Sequence, residues 1–146
     1  MLSNSCRYGI RAVIYLASQS LPREKIGIKK ISNDLNLPTP FLAKILQQLV
    51  KKKILSSTKG PHGGFSMLKD TRKITLLDIV NTIDGKEIFT NCLMHNGPCK
   101  CVDQNKKPCP IHKDYEEIRA NLIELFSNKT IYELEIKANK EDNISI

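Results

Sequence analysis

The fold is decided by residues 38–52, which read PTPFLAKILQQLVKK. Apolar side chains recur here at intervals of three and four, a spacing that predicts an amphipathic helix from about Pro40 to Lys52. Thr39 suits the N-cap of that helix and Pro40 its first helical position. The predicted apolar stripe consists of Phe41, Leu42, Ile45, Leu46, Leu49 and Val50, and the opposite face carries Ala43, Lys44, Gln47, Gln48 and Lys51.

A shorter helix is predicted immediately before this one. Ile28, Ile31 and Leu35 have helical spacing, and Asn36 tolerates the left-handed backbone conformation that a sharp turn needs. Two short helices joined by a tight turn, the second with a polar outer side, are typical of a helix-turn-helix.

A β-hairpin is predicted after Lys53. Residues 54–58 and 65–68 have strand-like composition, and the intervening KGPHGG of residues 59–64 forces a turn. We expect Gly63 and Gly64 to supply positive φ angles and to let the backbone approach a surface closely. A hairpin with a basic, glycine-rich tip in this position is a wing.

Further helices are predicted on either side of this unit. They cover residues 5–18, residues 75–83 with Thr75 as cap and Asp84-Gly85 as terminator, residues 111–126, and residues 130–137. The fold class that follows is mainly α with a small β-hairpin wing, a winged helix-turn-helix followed by a long helix.

The charge balance makes nucleic acid the first partner to consider, because the 146 residues carry a formal net charge of +8. No apolar run approaches the roughly 20 residues that a membrane-spanning helix needs. Arg7 and Arg11 interrupt the apolar residues of the N-terminal segment, which therefore does not resemble a signal peptide. We expect a cytoplasmic protein without a membrane partner.

Double-stranded DNA fits this pattern in a simple way. The third helix would enter the major groove, where glutamine can pair with adenine and lysine can contact base or phosphate. The wing would reach the neighbouring groove or backbone, and basic side chains would bind phosphates in a salt-dependent manner. The predicted DNA-binding residues are Arg7, Arg11, Thr39, Ala43, Lys44, Gln47, Gln48, Lys51, Lys59 and His62.

Four of the five cysteines cluster in a segment without helical or strand periodicity. They are Cys92, Cys99, Cys101 and Cys109, with His95 and His112 among them. Such cysteines in a reducing compartment are metal ligands or redox sensors rather than structural disulfides. Cys6 stands apart on the first helix, where we expect a packed small side chain, and we expect His95 to be a solvent-exposed loop residue.

Several chemistries suit this segment. An iron–sulfur cluster takes thiolate ligands and accepts an imidazole in place of one of them. Zinc in a tetrahedral site with three cysteines and one histidine is the alternative cofactor. A metal-free thiol switch, formed by Cys99 with Cys101 or by Cys6 with a loop thiol, is a further alternative, and idle cysteines are the remaining one.

Three stretches resemble the Rrf2 family of bacterial transcription regulators. They are the N-terminal residues 1–12, PTPFLAKIL at 38–46 and STKGPHGGF at 57–65. The resemblance covers roughly residues 1–137 and implies a dimeric DNA-binding regulator whose winged heads are joined through a long helix, here residues 111–126. The family includes iron–sulfur-biogenesis and nitric-oxide-responsive repressors and cluster-free regulators of cysteine metabolism. Lys59 departs from the family's usual arginine, which keeps the charge but loses the bidentate fork.

The cysteine segment resembles the family's cluster loop. The resemblance implies Cys92, Cys99, Cys109 and His112 as metal ligands, with Cys101 as an alternative to Cys99. It implies an iron–sulfur cluster, [2Fe–2S] favoured over [4Fe–4S], with nitric oxide or oxidants as signals. Loss or oxidation of the cluster would release the loop and long helix and change the spacing of the winged heads. Arg7 stands where some members carry an acidic ligand, so His112 or an extra cysteine must serve if four ligands are needed.

The resemblance and the pattern together divide the chain into four parts. Residues 1–84 form the DNA-binding domain, 85–110 the cysteine-rich sensing loop, 111–137 the dimerisation helix with a short last helix, and 138–146 a mobile tail. An enzyme using metal or thiol chemistry is the remote alternative. No HExxH, Walker loop or nucleophile elbow is present, so we expect no catalysis.

Overall fold

The computed structural model describes residues 2–19, 24–95, 97–98 and 107–140. Within them the predicted architecture, mainly α with one two-stranded antiparallel hairpin, is confirmed. The helices are α1 (Asn4–Ala17), α2 (Ile28–Leu35), α3 (Thr39–Lys51), α4 (Leu76–Ile83), α5 (Glu87–Thr90), α6 (His112–Asn128) and α7 (Ile131–Lys140). The strands are β1 (Leu55–Thr58) and β2 (Gly64–Met67), and a 3-10 turn covers Thr71–Lys73.

The turn between α2 and α3 is held by polar contacts. Asn36 adopts the predicted left-handed conformation at φ 51°. The buried Ser32 hydroxyl lies 2.6 Å from the carbonyl oxygen of Leu37 and 2.7 Å from the Thr39 hydroxyl. Arg11 on α1 donates to the carbonyl oxygen of Leu35 at 2.7 Å, which satisfies an orphan acceptor at the end of α2. These contacts fix the direction in which α3 leaves the turn.

The start of α3 differs from the prediction by one residue. Pro38, not Thr39, occupies the N-cap, and Thr39 is the first helical residue. The Thr39 hydroxyl instead contacts Ser32, so its side chain braces the turn rather than capping the helix.

One large core lies under α3. Leu42, Ile45, Leu46 and Leu49 are buried against α1, α2 and the hairpin, as the helical spacing predicts. Phe41 was predicted to belong to this stripe, and that prediction is wrong because its ring is 64% exposed.

The hairpin packs against the segment before α2. Ile26 and Phe65 exchange two backbone hydrogen bonds of 2.9 Å, so the chain before α2 lies beside β2. A Cβ on Gly64 would lie 2.4 Å from the carbonyl oxygen of Ile26, and its φ is +156°. Of the tip glycines, Gly60 and Gly64 have positive φ and Gly63 does not, which corrects the prediction for Gly63.

A second core cluster packs α5 and α6 against α1 and α4 of the N-terminal winged-helix unit, the head. Cys6, Val80, Phe89 and Phe126 are all buried and pack together, with the two phenyl rings edge to face at 6.0 Å. The short helix α5, which lacks enough length for a periodic signal and was not predicted, supplies Phe89. Helix α4 has the predicted cap at Thr75, completed by Asp78 in a capping box.

Helix α7 returns to the first core. Ile131 is fully buried in the first core cluster, where α7 packs against α1, and its N–H donates to the carbonyl oxygen of Ile74 at 2.9 Å. The described part of the helix runs to Lys140, three residues beyond the predicted Lys137 and into the predicted mobile tail. Residues 141–146 of that tail lie outside the described residues.

We predict that Leu46→Ala destabilises the protein by about 2–5 kcal/mol, because Leu46 is fully buried in the α3 core and alanine leaves a cavity. Gln47→Ala on the exposed side of the same helix is the control and is expected to change stability by less than about 0.5 kcal/mol. Urea unfolding of both variants measures the difference. Equal stabilities would contradict the packing of α3 described above.

Candidate nucleic-acid interface and cysteine segment

The outer face of α3 is polar and accessible. Lys44 and Gln47 are exposed, and Ala43 and Gln48 are half-buried at the edge of the helix. Lys51 is exposed in the last turn, where a cation also suits the helix dipole. Thr39 is half-buried and its hydroxyl contacts Ser32. Six of the ten predicted DNA-binding residues therefore lie on one helix, whose opposite face is packed in the core.

Phe41 belongs to this face as well, a residue that the sequence analysis placed in the core. At about 100° per residue it lies roughly a quarter turn from the centre of the buried stripe, on the side of Lys44 and Gln48. This angular position indicated an exposed side chain, but the apolar character of Phe41 led to its assignment to the core.

The wing carries two of the predicted DNA-binding residues. Lys59 and His62 are exposed at the hairpin tip, and Gly60 has a φ of +110° that an L side chain rarely adopts. Lys25 contacts the hydroxyl of Thr58 at the base of the tip. The tip thus presents a lysine and an imidazole on a backbone that pairs closely with the segment before α2.

The two arginines of α1 have different surroundings. Arg7 is exposed, whereas Arg11 is half-buried and donates to the carbonyl oxygen of Leu35. Arg11 is therefore part of the support of the α2–α3 turn, which makes it a weaker candidate for a phosphate contact than Arg7.

The first half of the cysteine segment is a tight loop. The Cys92 N–H donates to the carbonyl oxygen of Gly97 at 2.7 Å, and Asn91 forms an isolated bridge with Pro98. The Cys92 Sγ accepts from the Met94 N–H at 3.4 Å and lies 3.9 Å from the Nδ1 of His95. His95 is exposed, as predicted.

The second half leads into α6. Cys109 is partly buried, and its carbonyl oxygen accepts from the His112 N–H at 3.0 Å. The His112 side chain is 19% exposed, and its Nε2 lies 3.6 Å from the Glu116 carboxylate. This separation is longer than a hydrogen bond, so the two side chains are neighbours one turn apart on α6.

Arg119 connects the loop to the long helix. Its Nη2 donates to the carbonyl oxygen of Asn91 at 2.8 Å, and its guanidinium lies 4.8 Å above the ring of Tyr115. The Nε of Arg119 is buried and has no hydrogen-bond partner among the described residues. Asn91 is thereby held against α6, and it immediately precedes Cys92, the first predicted ligand.

The predicted ligands are not all within the described residues. Cys99 and Cys101 lie outside them, and in the part that the structure describes no three His, Cys, Asp or Glu side chains gather as a metal-binding group. Cys92, Cys109 and His112 are described, and each lies on a segment that contacts or begins α6.

Cys6 is a packed side chain, as predicted. It is fully buried, and burial together with the neighbouring Asp84 carboxyl raises the pKa of its thiol from 9.0 to about 12. A thiol in this state is protonated at neutral pH and is a poor nucleophile. This weakens the alternative in which Cys6 pairs with a loop thiol as a redox switch.

None of the described helices is both long and apolar enough to cross a membrane.

Comparison with known proteins identifies relatives over nearly the whole chain. The family model of Rrf2, described as iron-dependent transcriptional regulators, matches residues 2–135. An HTH-type transcriptional regulator of Aquifex aeolicus is 34% identical over 135 residues, covering 92% of this chain and 90% of the relative. The HTH-type transcriptional regulator IscR of Klebsiella pneumoniae is 25% identical over 133 residues, covering 91% of this chain and 78% of the relative.

Solved structures share the fold. CymR, the global cysteine regulator of B. subtilis, superposes with a TM-score of 0.76 at 21% identity, covering 94% of this chain and 97% of that one. IscR of T. potens gives a TM-score of 0.74 at 19% identity, covering 99% and 92%. Both are winged-helix regulators, and the match extends over the head and the C-terminal helices.

An exposed polar face on α3, a basic hairpin tip, and a family match from residue 2 to residue 135 lead to one conclusion. The chain belongs to the Rrf2 family, and it is a DNA-binding transcriptional regulator rather than an enzyme.

Proposed function

We propose that the protein acts as a homodimer on an operator in the cytoplasm and that its cysteine segment senses iron–sulfur, redox or nitric oxide status. The ligands would be Cys92, Cys99, Cys109 and His112, with Cys101 as the alternative to Cys99. The observation that carries the proposal is the attachment of this segment to α6 at both ends. Arg119 binds the Asn91 carbonyl oxygen at its start, and Cys109 leads directly into the helix at its end.

Helix α6 also has a face suited to a second copy of the chain. Ile111, just before α6, and Ile118 and Leu125 within it are 38%, 63% and 50% exposed and recur every seven residues. Side chains two helical turns apart stack on one side, which is the seam along which helices pair. Phe126, on another side, is buried against the head. Helix α6 therefore packs against the head, carries the proposed dimer seam and contacts the cysteine segment.

The residues fit an iron–sulfur group by their chemistry. Two partly buried thiols and the largely buried imidazole of His112 match the thiolate and nitrogen ligands that such iron takes. A bound cluster would supply a redox-active group that reacts with oxidants or nitric oxide. His112 would hold its ring against the segment from the first turn of α6, and Arg119 would keep Asn91 in place. The family's description as iron-dependent supports this cofactor over zinc.

The DNA contacts follow from the exposed faces. Thr39, Ala43, Lys44, Gln47 and Gln48 would read base edges from α3, and Arg7, Lys51, Lys59 and His62 would contact the backbone or the adjoining groove. Displacement of α6 would move its attached head relative to the partner's and thereby alter the distance between the two recognition helices.

We predict that Lys44→Gln lowers affinity for a fragment carrying the protein's own promoter region by about fivefold and reduces the salt slope by about one. The reason is the loss of one exposed cation from the recognition face. Lys137→Gln, an exposed lysine on α7, is the control and should leave both quantities unchanged. Anisotropy titrations between 50 mM and 200 mM salt, about the range in which such contacts are resolved, make the measurement. Equal slopes for the two variants would oppose the proposed docking of α3.

Purification without oxygen is expected to yield a coloured protein with bound iron and sulfide. Cys92→Ser and Cys109→Ser should lose the iron and the visible absorption, whereas Cys6→Ala should retain them because Cys6 is enclosed in the second core cluster. Cys99→Ser and Cys101→Ser, taken singly, identify the middle ligand. A colourless protein that contains stoichiometric zinc would refute the iron–sulfur proposal and favour the zinc alternative.

Arg119→Gln is expected to weaken the effect of bound iron on operator affinity. The variant loses the 2.8 Å contact with Asn91, so the ratio of operator affinities with and without iron should move towards one while iron binding persists. Lys113→Gln, exposed on the same helix, is the matched control and should keep the wild-type ratio. An unchanged ratio in the iron-loaded Arg119→Gln protein would show that the contact does not transmit the signal.

A further inference from the structure

The phenyl ring of Phe41 is exposed to solvent in the first turn of α3. Phe41 is 64% exposed, while Leu42 beside it is fully buried. Pro40 is exposed as well, so the N-terminal tip of α3 is apolar although the rest of its outer face is polar. Single exposed apolar side chains are common on proteins and need no explanation by themselves. Phe41 differs from such residues because it lies on the helix that we propose to contact DNA.

The surroundings of Phe41 are those of the proposed DNA-reading surface. The ring borders a cleft of about 290 Å³ that Lys44 and Gln48, three and seven residues further along α3, also line. Side chains at these spacings share one side of a helix. Ser5 on α1 lines the opposite wall. Ser3 and Asp84 line the cleft too, and the Asp84 carboxylate accepts from the N–H and the hydroxyl of Ser3. The exposed Lys51 further along α3 and the net charge of +8 favour a polyanion over a cationic partner.

The chemistry of DNA then narrows what the ring can contact. In a helix-turn-helix the N-terminal residues of the second helix are those that reach base edges. Most groups on the base edges of the major groove are hydrogen-bond donors and acceptors, and the apolar exception is the 5-methyl group of thymine. A phenyl ring cannot satisfy the polar groups, whereas it can pack against that methyl.

We infer that Phe41 is a specificity-determining residue that selects thymine by packing against its 5-methyl group. Gln48 or Lys44 reads the polar edge next to it, and an A·T pair offers an adenine edge to glutamine in the same groove. The inference rests on the proposed docking of α3 and adds the base that its apolar tip prefers.

The test uses thymine and uracil, which differ by this methyl alone. An operator duplex is first selected by the wild-type protein from a random library, and each thymine is then replaced singly by uracil. The wild type should lose about fourfold in affinity at one position of each half-site, the worth of one buried methyl group. Phe41→Ala should bind more weakly overall and show no further loss at that position.

Leu68→Ala is the matched control. Leu68 is 49% exposed and follows β2, away from the hairpin tip, so its removal takes away comparable apolar surface without touching α3. It should retain the full uracil effect. Unfolding midpoints of both variants should equal that of the wild type, because neither side chain is buried.

Two results would overturn the inference. One is a uracil profile that is the same for Phe41→Ala and the wild type. The other is a change in oligomeric state in Phe41→Ala with operator affinity preserved, which would assign the ring to a protein contact. If the wild type selects no duplex at all, the proposed docking of α3 fails together with the inference. Selective binding without coupling between the ring and the methyl refutes the inference alone.

Discussion

Phe126 joins the long helix to the DNA-binding head. It is the one buried residue of α6, and it packs edge to face against Phe89 and beside Val80 and Cys6. These partners belong to α5, α4 and α1, and α1 in turn packs against α3. In the proposed mechanism a movement of α6 would reach α1 and α3 through this small cluster.

Leu122 and Ile123 of α6 are partly buried against the same cluster, whereas the remaining sides of the helix are more exposed. Its other sides carry the half-exposed seam of Ile118 and Leu125 and the contact of Arg119 with Asn91. Packed aromatic contacts change between discrete arrangements rather than deforming continuously. In the proposed mechanism a change in the cysteine segment would therefore alter the head without unfolding it, with the Phe126 cluster intact.

Local pattern predicts the elements well because each of them obeys a local rule. The apolar spacing at Leu42, Ile45 and Leu46, the turn residue Asn36 and the capping Thr75 were readable from neighbours a few positions apart. The start of α3 was misplaced by one residue because the Thr39 hydroxyl has a better partner in Ser32, seven positions earlier.

The contacts on which the proposed function depends are long-range, and sequence periodicity does not predict them. Arg119 reaches Asn91 across 28 positions and Arg11 reaches Leu35 across 24, both through backbone carbonyl groups that any residue could supply. Phe41 was misassigned because hydrophobicity indicates burial only on average, and a residue at the edge of the stripe can serve the surface. The predicted ligands Cys99 and Cys101 lie outside the described residues, so their part of the site rests on sequence and resemblance.

The central claim is that the cysteine segment and the recognition helix are energetically coupled, and coupling between two binding sites is reciprocal. The most direct measurement is the rate at which a chelator removes iron from the anaerobic protein, with and without saturating operator DNA. The account predicts that the operator changes iron retention in the same direction as iron changes operator affinity. Iron loss that is identical in the presence and absence of the operator would contradict it.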